Sequence, residues 1–266
     1  MNIKFENSFE LLSQEEWNTY LAEENIDSIY VNKETFGAYS DRIMMYSILM
    51  EEIDALNNKV GSIKISYALC RHYYDKGIPD NPFYISPGKS GQSVQYFPEF
   101  EEEHWMRHYW FNHFSDAVYM KLFSVWDSVT EILDTFYGMG IDKNMRFKFR
   151  VMDKLKEINP ALWGFLKNDV LGADIYQTAE QYRNSFAHYS GPSSVSNSYK
   201  IERNKEMTFP EMQEDGSVKM VTKKVTAFSC GVGEYTYVEN IMNNLLEFSK
   251  FTGDSIQKML VDMVSR

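Results

Sequence analysis

The chain has 266 residues, of which 44% are hydrophobic and 15% aromatic, so a disordered or fibrous protein is excluded and one large domain or two small ones are allowed. The formal net charge of -11 argues against a polyanionic partner for the chain as a whole. No window approaches roughly 18 consecutive apolar residues, so we expect a soluble, cytoplasmic protein without a membrane partner.

The N-terminal third is predicted to be helical. Residues Ser13 to Glu16 form a capping box that opens a short helix. A long amphipathic helix is expected from Asp41 to Asp75, where apolar residues recur at spacings of three and four. The stretch from Gly77 to Pro98 contains four prolines and three glycines and is predicted to be a loop. We place a domain boundary there, with an N-terminal helical extension at 1–95 and a helical bundle at 96–266.

The rest of the chain is predicted to be helical with one β-hairpin. Residues 193 to 233 alternate polar and apolar side chains, and the Asp-Gly of EDGSVKMV indicates a tight turn, so a hairpin is expected at about 197–230. A last helix follows from Glu234 to Val264. The fold class is therefore all-α, a helical bundle with an N-terminal helical extension and a small β-hairpin insertion before the last helix. The other predicted helices occupy 98–140 (one long helix or two in tandem), 143–158, 160–170 and 172–189.

Charge is distributed unevenly along the chain. Residues 1 to 140 hold 10 Lys and Arg against 22 Asp and Glu, whereas residues 141 to 266 hold 17 against 16. The stretch from Ile141 to Asn168 is locally basic, and we assign its Lys148 and Arg150 to binding. A solvated helix face is the alternative interpretation of the same charges.

The segment QYRNSFAHYS, from Gln181 to Ser190, ends a predicted helix directly before Gly191-Pro192. In a helix, Asn184 and His188 are about 40° apart and share a face, whereas Arg183 and His188 are about 140° apart. We expect Arg183 to reach His188 because its side chain is long and the last helical turn can loosen. A guanidinium for a phosphate, an amide to orient it and an imidazole to move a proton are what a metal-independent ribonuclease needs.

The segment RNSFAH resembles the R-x4-6-H signature of the HEPN superfamily, the helical-bundle domains of bacterial and archaeal defence and toxin systems. KLFSVWDSVTEILDTFYGMG is similar to the helix that begins the core of such bundles, and the likeness covers about 98 to 264. A second Arg-to-His match, Arg107 to His113, lies within a long aromatic helix. We prefer Arg183 because its match lies late in the bundle, at a helix end, with Asn184 directly after it.

The resemblance implies a homodimer in which the Arg/His pairs of both copies face each other and cleave RNA without metal or cofactor. Arg183 would then stabilise charge on the phosphoryl oxygens, Asn184 would orient the phosphate or His188, and His188 would transfer the proton. We add Tyr189 to the binding residues. One toxin subgroup, paired with a nucleotidyltransferase antitoxin, carries Tyr two residues after its His. Here Ser190 stands at that position, which weakens that pairing.

Other interpretations stay open. An antitoxin or regulator is a candidate partner beside RNA, and a non-catalytic, HEPN-like dimeric binding or regulatory module is the alternative to the enzyme. A plain helical interaction domain, with Arg183 and His188 at an ordinary helix end, is a third interpretation. Glu101, His104 and His108 have a spacing that metal sites use, but Glu-x-x-His occurs once, which favours a solvated helix face.

Overall fold

The fold is seen in a computed structural model that describes residues 9–22, 24–37, 43–188, 190–195, 199–213, 215–230 and 234–264. The chain divides into two compact units, Met1–Pro192 with Tyr237–Arg266, and Ser193–Thr236. The first unit is helical and the second contains a two-stranded hairpin that precedes the last helix in the chain. The predicted all-α fold class with a hairpin insertion is confirmed.

The N-terminal region forms short helices. Helix α1, Gln14–Leu21, begins at the predicted capping box, where the Ser13 N–H donates to Glu16 Oε2 at 2.7 Å and the Glu16 N–H donates to Ser13 Oγ at 3.2 Å. Helix α2, Glu24–Asp27, and a 3-10 turn at Lys33–Phe36 follow. Local hydrogen bonds of this kind satisfy N–H groups that a helix start leaves without partners.

Two long helices dominate the first unit. Helix α3 spans Ile43–Asp75, and α4 spans Glu102–Phe136 as one continuous helix. They run antiparallel, because Lys59 Nζ donates to Ser128 Oγ at 2.7 Å whereas Lys121, earlier in α4, donates to Ser66 Oγ, later in α3, at 2.6 Å. The predicted boundary near residue 95 falls between these packed helices, and the division into 1–95 and 96–266 stays a prediction.

The connection between α3 and α4 contains a small hairpin within the predicted loop. Strand β1, Tyr84–Ile85, pairs antiparallel with β2, Gln95–Tyr96. Earlier in the same connection, Asp80 is buried, and its Oδ2 accepts a hydrogen bond from the Val238 N–H at 2.8 Å. The connection is therefore tied to the start of the last helix, α8, which spans Val238–Val264.

Three further helical elements lie between α4 and the hairpin unit. Helix α5 spans Phe147–Ile158, α6 spans Pro160–Gly164, and α7 spans Asp174–His188. Between α6 and α7 the predicted helix continues as a π-helix at Phe165–Val170. There the Leu171 N–H donates to the Leu166 carbonyl, five residues back, at 3.0 Å. This wider turn is uncommon in proteins and occurs often at functional sites.

Helix α8 completes the core of the first unit. Its buried face packs on α4, and the Tyr119 hydroxyl donates to Asn244 Oδ1 at 2.7 Å inside that contact. Gly253 permits a close approach on another side of α8, because a Cβ at this position would collide with the Ser28 side chain. The largest fully buried side chains in this core include Tyr67, Tyr73, Phe111, Tyr119 and Phe248.

The second unit is a long antiparallel hairpin. Strand β3, Tyr199–Met212, pairs with β4, Val218–Cys230, and an irregularity in the register lies between Glu202 and Lys205. The connection contains the Asp-Gly of the sequence pattern, where the Ser217 N–H donates to Asp215 Oδ1 at 2.9 Å and Gly216 has a φ of +81°. The predicted position of the hairpin turn is therefore confirmed.

Candidate functional site

Helix α7 presents an aromatic face to α4, and this face positions the candidate arginine. Tyr176 is buried on it, and the rings of Tyr182 and Phe186 lie 6.0 and 6.1 Å from the ring of Tyr119. These residues recur at the spacing of one helical face. Arg183 lies one residue after Tyr182, so its side chain emerges beside the contact between α7 and α4.

The Arg183 side chain is half-buried and packs on an aromatic ring. Its Cζ lies 5.0 Å from the centre of the Phe123 ring, within the range of a cation–π contact. Its Nε is buried without a hydrogen-bond partner, and no carboxylate among the described residues lies within ion-pair distance of it. A guanidinium that is partly removed from water without an anion is costly, and an anion that binds there would lower that cost.

Asn184 and His188 occupy the next turns of α7. Asn184 is half-buried, whereas His188 is exposed and is the last residue of the helix. Helix α7 continues through His188, so the loosening expected at Gly191-Pro192 lies after it, where Gly191 has a φ of +93°. Over the part of the chain that the structure describes, no hydrogen bond joins Arg183 to Asn184 or His188.

The predicted binding residues are dispersed. Lys148 forms an ion pair with Asp127 on α4, and Arg150 is exposed on α5 without an ion pair to any described residue. Tyr189 lies outside the described residues. The basic stretch is partly neutralised, since Lys143 also pairs with an α4 carboxylate, that of Glu131, at 3.3 Å.

The second Arg-to-His match has a structural explanation. Arg107 Nη1 donates to the Lys76 carbonyl at 2.8 Å, just after α3 ends, and Arg107 Nη2 lies 3.2 Å from Glu103 Oε1. Arg107 therefore satisfies a carbonyl group near a helix end, a common role of a basic side chain. Its guanidinium has two partners within its own chain, whereas that of Arg183 lies over a ring. This difference separates the two matches.

The proposed metal spacing on α4 is used by the helix itself. His104 Nδ1 accepts a hydrogen bond from the Glu101 N–H at 3.0 Å and so caps the start of α4. Within the described ranges, no three His, Cys, Asp or Glu side chains are grouped as metal ligands would be. In the same ranges, no helix is both long enough and apolar enough to cross a membrane.

A cavity of about 110 Å³ lies beside the α7 face and is a feature that sequence reasoning missed. Tyr176 is one of its walls, and burial together with the nearby Glu180 carboxylate raises the pKa of the Tyr176 hydroxyl to about 12. The Tyr176 ring also lies 5.3 Å from that of Phe123. The sequence signal was present in the aromatic residues of KLFSVWDS, but such residues are the usual content of a core.

Comparison with known proteins gives one family. The model of the family described as HEPN_Cthe2314-like HEPN matches residues 53–257, which cover most of α3 and all of α4 to α7. The match begins within α3 rather than near residue 98, so the likeness extends further towards the N-terminus than the motifs indicated. No curated protein and no solved structure matches the chain.

Proposed function

The chain belongs to the HEPN_Cthe2314-like HEPN family, and on that premise we propose that it is a metal-independent endoribonuclease that acts as a homodimer. The observation that carries the proposal is the half-buried Arg183 guanidinium, which has no anionic partner among the described side chains. A phosphodiester supplies the missing anion in a geometry that a guanidinium binds well. We place this activity in a defence, toxin or stress setting, with an antitoxin or regulator as a further candidate partner.

The proposed reaction needs only the RNA and groups of the protein. The ribose 2′-oxygen attacks the adjacent phosphorus, a P–O2′ bond forms and the P–O5′ bond breaks. The products are a cyclic phosphate and a 5′-hydroxyl. The 2′-hydroxyl loses a proton and the leaving 5′-oxygen gains one, so no oxidant, metal or water is consumed. His188 assists one of these proton transfers, since an imidazole can accept or donate a proton near neutral pH.

Arg183 has the electrostatic role in this scheme. Charge builds up on the non-bridging phosphoryl oxygens during the attack, and a preorganised cation stabilises it most where water is partly excluded. The Phe123 ring supports one face of the guanidinium, so the side chain loses less conformational freedom when RNA binds. Asn184, on the following position of α7, orients the phosphate or the imidazole.

The dimer follows from the distance between the two roles. A regular helix keeps Arg183 and His188 about 140° apart, and no hydrogen bond joins them within the described part of the single chain. We infer that each cleavage site combines Arg183 of one copy with His188 of the other. A two-fold axis beside α7 would create two such sites at once.

Mixing two inactive variants tests this arrangement. Arg183→Ala and His188→Ala proteins are unfolded together, refolded and assayed, with each variant refolded alone as the control. Half of the refolded dimers would be mixed and each would hold one intact site, so about a quarter of the wild-type cleavage rate should return. No recovery in a mixture that contains mixed dimers by native mass spectrometry would contradict the shared site.

A non-catalytic dimeric module is the second candidate function. It is favoured by the net charge of -11, which opposes RNA binding, and by the separation of Arg183 from His188 within one chain. In this case Arg183 would bind an anionic group of a protein partner rather than an RNA phosphate.

A cleavage assay in EDTA decides between the two functions. Labelled RNA is incubated with wild type, His188→Ala and His113→Ala, the last being an exposed histidine from the other Arg-to-His match. We expect His188→Ala to lower the cleavage rate by roughly 10²- to 10⁴-fold, and His113→Ala to cleave as wild type does. Equal cleavage by wild type and His188→Ala would contradict the enzyme, and binding without cleavage would support the module.

A further inference from the structure

The cavity beside α7 is enclosed by apolar side chains from four helical elements. Its walls come from α4, α5, the π-helix and the start of α7. Lys148 lines it with a largely exposed side chain, and Leu171, after the π-helix, is 42% exposed, so the cavity opens to solvent at these residues. The walls include Trp126, Val129, Leu133, Leu166, Val170 and Tyr176.

The size of the cavity limits its ligand. A cavity of about 150 Å³ lined by similar side chains holds one benzene molecule, and the volume here is about 110 Å³. One six-membered ring, with its polar edge left at the opening, therefore fits, whereas a fused pair of rings does not. The π-helix supplies Leu166 and Val170 to the wall, so the wider helical turn shapes this space.

The surroundings of the cavity favour a ring that carries a phosphate. Lys148 places a cation at the opening. On the other side of the Tyr176 wall, the Tyr176 ring contacts Phe123, and Phe123 supports the guanidinium of Arg183. An aromatic ring in the cavity would therefore lie near both cations, at a separation that suits a base and its neighbouring phosphates.

We propose that this cavity is a pyrimidine subsite, which receives one base of the RNA next to the phosphate that Arg183 binds. The inference rests on the proposed ribonuclease function and names its substrate preference. The base stacks against Trp126 and Tyr176, with its C5–C6 edge inward. Its hydrogen-bonding edge stays at the opening near Lys148 and Thr130, because an apolar wall offers no partners for buried polar atoms. Uracil and cytosine are therefore accepted alike, and purines are excluded by size.

Binding to inactive protein tests the inference without cleavage. His188→Ala protein is titrated into labelled single strands of roughly ten nucleotides of uridine, cytidine or adenosine. We expect the two pyrimidine strands to bind roughly tenfold more tightly than the adenosine strand. Adding Leu171→Trp should remove this preference by closing the opening, and adding Ile65→Trp, at a 53% exposed position on α3, should preserve it.

Each other outcome has a definite reading. Equal affinity for the three strands, or a preference that survives Leu171→Trp, overturns the pyrimidine subsite, and the proposed function still stands if His188→Ala has lost cleavage in EDTA. No binding of any strand together with no cleavage by wild type overturns both. If Leu171→Trp leaves strand binding unchanged but dissociates the dimer, a side chain of the second copy fills the cavity and the inference is wrong. Met152→Phe, from the opposite wall, replaces Leu171→Trp if that variant does not fold.

Discussion

Arg183 and Phe123 form a contact in which the guanidinium carbon lies 5.0 Å from the ring centre, while the Arg183 Nε is buried without a hydrogen-bond acceptor. A cation–π contact at a partly buried position contributes about 1 kcal/mol. Leaving a charged donor unsatisfied costs a similar amount or more. The contact therefore holds the side chain in place but leaves its charge available to an anion.

Replacing Arg183 by Met should separate stability from function. Met keeps most of the apolar contact with Phe123 and removes the unpaired charge, so we expect the free energy of unfolding to stay unchanged or to rise by about 1 kcal/mol. RNA cleavage should fall at least a hundredfold, by about 3 kcal/mol in the activation free energy. Thermal unfolding and the cleavage assay measure the two effects.

Arg107→Met is the matched control and should behave in the opposite way. It removes a hydrogen bond to the Lys76 carbonyl and the ion pair with Glu103, so we expect a loss of about 1–3 kcal/mol of stability. Cleavage by the folded fraction should be unchanged. A loss of stability in Arg183→Met as large as that in Arg107→Met would assign Arg183 a structural role.

Tyr119→Phe should destabilise the contact between α4 and α8. The Tyr119 hydroxyl is fully buried and donates to Asn244 Oδ1 at 2.7 Å, so its removal leaves the amide oxygen without this donor. We expect a cost of about 1–3 kcal/mol, measured by urea unfolding. Tyr30→Phe, at a 55% exposed position, controls for the loss of a hydroxyl and should change stability very little. Equal stability of the two variants would contradict the prediction.

Glu52 should make stability depend on pH. Burial raises the pKa of this carboxyl above its ordinary value of 4.5, with help from the nearby carboxylates of Glu131 and Asp134, and Glu52 Oε2 has no hydrogen-bond partner. Because the folded state holds the proton more tightly than the unfolded state, the contribution of Glu52 is most favourable below pH 4.5 and is lost as pH rises through the raised pKa.

Glu52→Gln should therefore stabilise the protein at neutral pH, by about 1 kcal/mol, because it removes the buried charge. The gain should shrink towards zero in acid. Melting temperatures of wild type and variant across this range measure the effect, and Glu51→Gln, at the exposed neighbouring position, is the control. A gain that is constant with pH, or present equally in Glu51→Gln, would show that the Glu52 carboxylate is not its source.

Cys70 should resist alkylation in the folded protein. Its thiol is fully buried, lies 3.2 Å from Ser115 Oγ, and burial raises its pKa to about 12. At about pH 8 the reactive thiolate is therefore scarce as well as inaccessible. Iodoacetamide followed by peptide mass spectrometry should find Cys70 unmodified before unfolding and modified in urea. Modification at the rate of a free thiol would indicate that α3 and α4 separate readily.

Local chemistry made much of the fold predictable. The capping box at Ser13, the periodicity of α3 and the Asp-Gly turn at Asp215 depend on residues a few positions apart, and all three are present in the structure. Predictions failed where distant residues decide. The π-helix after Gly164 shares its apolar pattern with an α-helix, and its wider turn accompanies packing around the cavity.

The sequence by itself determined that two arginines stand before histidines at helical spacing, one in an aromatic helix and one at a helix end. Only the tertiary structure decided what each arginine contacts. Arg107 meets the carbonyl of Lys76 after the end of α3, and Arg183 meets the ring of Phe123 in α4. Those partners lie far away along the chain, and the packing of α4 against α3 and α7 brings them close, so spacing within one helix could not reveal which guanidinium still lacks an anion.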